Sequence, residues 1–348
     1  MLYGREAVLL VKSPTLRLLT YGGLLLATGL LFAMGLTFGF LRIPLENVLQ
    51  TLLGGGSKQE VFTIFTLRMP RLLITLIMGM ALAMSGSVLQ TLTKNDLADP
   101  GVLGINAGAG LGVTFAYLFM DFSSTSIVYT LPLAGFLGAG VTFLLTMVFS
   151  TDPGGRLNVD KLVLTGIGSA IALSGSMILF ISSAGREDVQ FIYRWLSGSI
   201  WGDKWDFVYV TLPVVLVLMI WIFMKSQTLN IMGLDDISAQ SLGVDLTKER
   251  YILIGCAVAL AAVVVSVAGA ISFVGLIIPH MAKRIYGPKH QHFMVGSMLL
   301  GGIFLMGADL IGRNILQPQG LLPGIMVALV GAPYFLFLVV RTNKGTRG

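Results

Sequence analysis

PRLLITLIMGMALAMSGSVLQ, residues 70–90, carries one charge, Arg71, and from Leu72 to Thr93 no side chain is charged. About 20 apolar residues in a helix suffice to cross the hydrocarbon core of a bilayer. Nine further runs read the same way, at 18–40, 101–120, 128–150, 161–182, 207–224, 251–270, 272–286, 293–312 and 321–340. The predicted fold class is an all-α polytopic membrane protein with about ten transmembrane helices. The run at 272–286 is the shortest, and its ends are the least defined. The first run is longer than the apolar core of a secretory leader, and no small-residue cleavage site follows it, so it reads as a retained anchor.

Composition agrees. Of 348 residues, 55% are apolar, 43 are Gly and only 11% are charged, against about 25% charged in an ordinary soluble domain. Mean hydropathy is +0.85. A water-soluble exterior needs more charge than this, which excludes a soluble globular enzyme and a disordered regulator. The lone Cys256 excludes an intrachain disulfide and a cysteine-cluster metal site. The net charge of +6 fits basic cytoplasmic loops, with no basic run or module that would point to nucleic acid.

Charge also orients the chain. With the N-terminus inside, 15 of the 23 Lys and Arg residues fall on inside segments and 8 outside. That bias predicts an even number of spans with both termini cytoplasmic. The expected organisation is one transmembrane domain, 1–348, with a cytoplasmic segment at 225–250.

Gly104, Gly108 and Gly112 recur at i, i+4, i+8 in the third run. Small residues at this spacing make a groove in which helix backbones approach, or line a path that needs small side chains. Asp309 lies within the ninth run, four residues before Arg313, and reads first as half of an ion pair.

The chemistry of catalysis is missing. There is no phosphate loop, since the chain contains no Gly-Lys pair, and there is no H-E-x-x-H or G-x-S-x-G motif. His290 and His292 stand at i, i+2 and do not share a helix face. No catalytic residue and no metal ligand is predicted. If the chain pumps, the energy is supplied from elsewhere.

Two segments are built to meet partners. KSQTLNIMGLDDISAQSLGVDLTKER, 225–250, interleaves Leu229, Met232, Leu234, Ile237, Leu242 and Val244 with charge. Asp235 and Asp236 precede a short helical stretch that ends at Gly243, the polarity a helix prefers. The segment predicts two short amphipathic helices, resting on lipid headgroups or docking a soluble partner. On the opposite face, Arg68 and Arg71 open the second span and Arg313 closes the ninth, against the inside bias. They are placed to receive acidic groups or to snorkel to headgroups.

The stretch RMPRLLITLIMGMALAMSGSVLQTLTKNDLADPGVLGINAGAGLG, 68–112, together with LGVDL, GAISFVGLIIPHMAKR, ADLIGR and LVGAP between 229 and 341, closely resembles the ATP-binding-cassette importer permeases for iron–siderophore complexes and vitamin B12. The resemblance covers roughly residues 60–341. It implies ten spans with cytoplasmic termini, and a second permease subunit, identical or paralogous, around a central path. It also implies two ATPase subunits carrying ATP and Mg, and an extracytoplasmic substrate-binding protein. No cofactor on this chain is implied. A ferric siderophore is the expected cargo, with cobalamin or haem as the alternative and a carrier acting alone as the competing class.

Residue by residue, the resemblance assigns Arg68, Arg71 and Arg313 to binding-protein docking. It assigns Leu234, Asp235, Asp236, Ile237, Ser238, Ala239, Leu242 and Gly243 to ATPase coupling. Asn95, Leu97, Asn158 and Val159 fall near the cytoplasmic gate, and Gly108 and Gly112 stand as path candidates. The chain departs from the pattern at Asn158 and Val159, where small hydroxylated residues are usual, and at Gln317–Gly324, QPQGLLPG, which lacks the usual Glu.

Overall fold

The computed structural model describes residues 11, 13–120, 127–155, 157–200, 204–315 and 320–345. Fifteen α-helices follow in chain order: α1 (Pro14–Thr37), α2 (Leu45–Leu52), α3 (Lys58–Val61), α4 (Met69–Leu92), α5 (Ile105–Phe119), α6 (Ile127–Ser150), α7 (Val159–Ser182) and α8 (Arg186–Leu196). Then come α9 (Trp205–Met224), α10 (Ser226–Met232), α11 (Asp236–Ser241), α12 (Leu246–Ala268), α13 (Val274–Tyr286), α14 (His290–Asn314) and α15 (Pro323–Gly345). A π-helical stretch at Phe62–Arg68 joins α3 to α4 without a break.

All ten predicted runs are helical, as α1, α4–α7, α9 and α12–α15. Seven helical segments among the described residues are long and apolar enough to cross a membrane, and α5 and Pro323–Leu338 are shorter apolar helices. Local chemistry moves the ends. Ser13 Oγ accepts from the Leu16 amide at 3.2 Å and Pro14 fills the first turn, so α1 starts before the apolar run does. Gly104 takes φ +81 and closes a 3₁₀ turn, so the third run becomes helical only at Ile105. The run at 272–286 is cut short by Gly269 at φ +68 and Phe273 at φ +69.

α4 is the axis of the bundle and is buried along most of its length. Glycine lets the backbones of two helices touch it. A Cβ built on Gly79 lies 2.2 Å from the Gly301 carbonyl oxygen of α14, and one on Gly86 lies 1.9 Å from that of Gly275 in α13. Ser85 Oγ donates to the Ala257 carbonyl of α12 at 2.6 Å. α1 rides on α14 at the rim, where Tyr21 donates to the His292 carbonyl at 2.8 Å and stacks on Tyr286. The faces of α1, α6, α7 and α9 turned away from this core expose leucine, valine and isoleucine. Without water around them, such faces suit lipid contact.

Helix α8 is absent from the ten runs because it is polar on one side. Its start was nonetheless legible: Asp188 accepts from the Gly185 amide at 3.2 Å, and Arg194 sits in the last turn. It buries Trp195, on whose carbonyl Gly269 rests.

Candidate functional site

Chemistry concentrates at the two ends of the bundle. At the predicted outer end, Asp309 is 0% exposed and lies between two arginines. Arg71 donates Nη2 to Oδ1 at 2.8 Å and Nε to Oδ1 at 3.1 Å, while Arg313 Nε stands 3.0 Å from Oδ2. The ion pair expected between Asp309 and Arg313 is present, and Arg71, 238 residues away in sequence, completes it. Both arginine side chains remain about one-fifth exposed, at 20% and 21%.

Arg68 corrects the docking assignment. It is only 5% exposed and donates to the backbone carbonyls of Leu36 and Leu41. Its guanidinium caps the C-terminal end of α1 and the loop that follows, so its donors are spent inside the fold rather than presented at the surface.

At the predicted cytoplasmic end, Asp235 caps α11: its carboxylate accepts from the Ser238 amide at 2.9 Å and hydroxyl at 2.8 Å. These bonds hold Asp235 below the usual carboxylate range. Asp236 accepts from Lys94 and from Arg250, both at 2.8 Å. The Lys94 hydrogen bond is the main reason its carboxyl also sits below the ordinary range, with burial opposing. Gly243 ends the stretch at φ +82. With its scaffold so tied, α11 holds Ile237 79% exposed and Leu242 60% exposed, with Leu234 beside them.

α10 is amphipathic as expected, with Leu229 and Met232 buried in the core and Gln227 exposed. One expectation for this segment changes. Ala239, assigned to ATPase contact, is 1% exposed and faces inward. Asp235, Asp236 and Ser238 are committed to each other or to Lys94 and Arg250, so they build the tip that Leu234, Ile237 and Leu242 display.

A joint that the sequence did not announce ties α10 to the bundle. His290 Nδ1 lies 2.8 Å from Asn230 Oδ1, and its Nε2 lies 2.7 Å from Thr91 Oγ1. Asn230 Nδ2 also donates to Gln291 Oε1 at 2.8 Å. Thus α10 is fastened to the ends of α4 and α14 opposite those that carry Arg71, Asp309 and Arg313.

The gate candidates divide. Asn158 is the N-cap of α7, accepting from the Lys161 amide at 3.1 Å. With Val159 it lines a cleft of about 600 Å³ beside Lys94, Asp152, Asp236 and Ile237. Asn95, whose Oδ1 accepts from the Leu97 amide at 2.9 Å, lines a separate cavity of about 310 Å³ with Leu97, His280 and Arg284. The fold therefore does not bring the two pairs into one cavity within the chain. Nearby, Asp99 is buried and caps Gly101 at 2.7 Å, and burial raises its carboxyl to about 6.

Gly108 and Gly112 do not line a path here. A Cβ on Gly108 falls 2.0 Å from Thr142 Oγ1 and 2.6 Å from the Gly138 carbonyl oxygen. One on Gly112 falls 2.4 Å from the Ala134 carbonyl oxygen. Both lie against α6, which makes helix packing their role. Residues 317–319 of the departure at Gln317–Gly324 lie outside the described residues, as do Arg5, Lys12, Arg156 and Arg347 of the charge count.

A bundle of apolar helices with charged, capped ends is the build of a multi-pass membrane transport protein. The chain matches the model of the FecCD transport family over residues 25–341 and belongs to that family. It is 34% identical over 316 residues to the iron(3+)-hydroxamate import system permease protein FhuG of Bacillus subtilis (strain 168), covering 90% of this chain and 94% of that one. It is 33% identical over 310 residues to the Fe(3+) dicitrate transport system permease protein FecD of Escherichia coli (strain K12), covering 88% and 94%. A solved structure of a metal-chelate type ABC transporter in an inward-facing conformation matches it with a TM-score of 0.81 and 28% identity, over 93% of this chain and 99% of that one. The protein is accordingly a transport permease of the cytoplasmic membrane rather than a catalyst.

Proposed function

We propose that this chain is the permease subunit of an ATP-binding-cassette importer that carries ferric siderophore complexes inward. The observation that carries the reading is the family match from 25 to 341, with relatives named for ferric hydroxamate and ferric dicitrate. A second permease subunit completes the path, and two separate ATPase subunits bind ATP and Mg. An extracytoplasmic binding protein delivers the cargo.

Two features of the structure support this reading. Arg71 and Arg313, each about one-fifth exposed, turn guanidinium edges toward acidic residues of the binding protein. Leu234, Ile237 and Leu242 form an apolar tip for a cleft on an ATPase subunit, and polar bonds at its base keep it rigid. When ATP draws the ATPases together, the tip moves with them, and the His290–Asn230–Thr91 joint passes the displacement to α4 and α14. Access to the path then alternates between the two faces.

Ile237→Asp tests the tip. A change at so exposed a site alters fold stability by no more than about 0.5 kcal/mol. In proteoliposomes holding the complete transporter, ATP-dependent uptake is expected to fall at least tenfold while the permease melts as wild type does. Wild-type uptake in this variant would remove α11 from the coupling pathway.

A further inference from the structure

The cavity of about 310 Å³ at the cytoplasmic end is lined by Lys94, Asn95, Asp96, Leu97, His280, Arg284 and Leu338. Most of its charges are already paired. Lys94 Nζ is 2.8 Å from Asp236, and Asp96 Oδ1 is 3.1 Å from Lys283 Nζ. Arg284 is different. It is partly buried, yet among the described residues it has no carboxylate partner and no hydrogen bond. His280 stands four residues earlier on the same face of α13. Its Nε2 is buried and has no hydrogen-bond partner among the described residues.

A buried unsatisfied ring nitrogen beside an unpaired guanidinium is an arrangement with a free-energy penalty unless something fills it. The filler is defined by the donors. A guanidinium offers paired N–H groups to an oxyanion, and His280 adds a third donor in the tautomer that carries its proton on Nε2. The unpaired positive charge rejects a cation. The volume falls at the lower end of small-molecule sites, room for an organic acid rather than a whole bulky chelate. Asn95 and Leu97, which the family resemblance puts near the inner gate, form part of the wall.

We infer that His280 and Arg284 form an oxyanion subsite at the inner end of the translocation path, which takes a carboxylate group of an anionic ferric chelate as it leaves toward the cytoplasm. This rests on the importer reading and adds a chemical class to it. Because Arg284 is partly solvated, its attraction for a carboxylate is screened. The site therefore holds the anion briefly and lets it go, as an exit must. An anionic lipid headgroup offers the same oxyanion chemistry, and the test separates the two sources.

The full-length permease is placed in phosphatidylcholine nanodiscs and titrated with citrate and with ferric citrate by calorimetry. Both are expected to bind the wild type. Arg284→Gln is expected to weaken that binding at least tenfold, Arg284→Lys to keep part of it, and His280→Ala to lose several-fold. An unchanged melting midpoint without ligand shows that each variant is folded. Equal citrate affinity in wild type and Arg284→Gln overturns the proposal, as does absence of binding to the wild type. Citrate binding by the wild type that disappears when phosphatidylglycerol replaces part of the bilayer assigns the site to headgroups and overturns the cargo role. Uptake of an uncharged ferric trihydroxamate by the complete transporter reports on the importer reading separately, since that cargo brings no carboxylate to Arg284.

Discussion

Asp309→Ala is expected to destabilise the fold by about 3–5 kcal/mol, the range for removing one partner of a buried ion pair. The carboxylate is fully buried, and its loss removes the counter-ion that Arg71 and Arg313 share across α4 and α14. Two like charges at this spacing repel, and neither can reach full hydration without parting the helices. Against a typical total stability of about 5–15 kcal/mol, this is a large fraction. The measurement is the melting midpoint and the monodisperse fraction in detergent. Replacing the triad together, with Asp309→Leu, Arg71→Met and Arg313→Met, is expected to restore most of the stability while abolishing binding-protein capture. A wild-type midpoint for Asp309→Ala would show that the cluster contributes nothing to the fold.

Gly86→Val is expected to be comparably damaging for a steric reason. The Cβ of any substituent stands 1.9 Å from the Gly275 carbonyl oxygen and 2.6 Å from its Cα, all of it backbone. No side-chain rotation relieves that contact, so α4 and α13 have to separate. Overpacking of this kind typically destabilises by about 1–3 kcal/mol and by more when backbone is the obstacle. Gly168→Ala in α7 is the control, because a Cβ there meets nothing within 4 Å. It is expected to be neutral or to gain up to about 1 kcal/mol from helix propensity. Equal melting midpoints for the two variants would contradict the close-packed contact.

Much of this was written in local pattern. The apolar runs predict helices wherever a long uncharged stretch meets a cap, and Asp235 with Gly243 bounds α11 as its polarity implies. Asp309 and Arg313 lie one turn apart, so their pairing is visible without a fold. What escaped needs distant segments to meet. Arg71 reaches Asp309 only because α4 and α14 pack through Gly79 and Gly301. Arg68 looks like its neighbour Arg71 in sequence, but it ends the π-helical stretch and its guanidinium reaches the carbonyls that end α1. The same geometry buries Ala239 while Ile237 stands out. Gly108 and Gly112 were ambiguous because a packing groove and a path lining both demand small side chains, and only the position of Thr142 and Ala134 on α6 separates the two. The His290 joint joins three separated segments, and no local motif marks such a bond.

Inward transport of ferric siderophores is read out by uptake. A strain lacking this chain is offered radiolabelled ferric hydroxamate, ferric citrate, ferric catecholate and cobalamin, with and without the restored gene. Loss of at least one ferric class, recovered with the gene while cobalamin uptake stays level, is the predicted result. Undiminished uptake of every ferric class together with lost cobalamin uptake would contradict it.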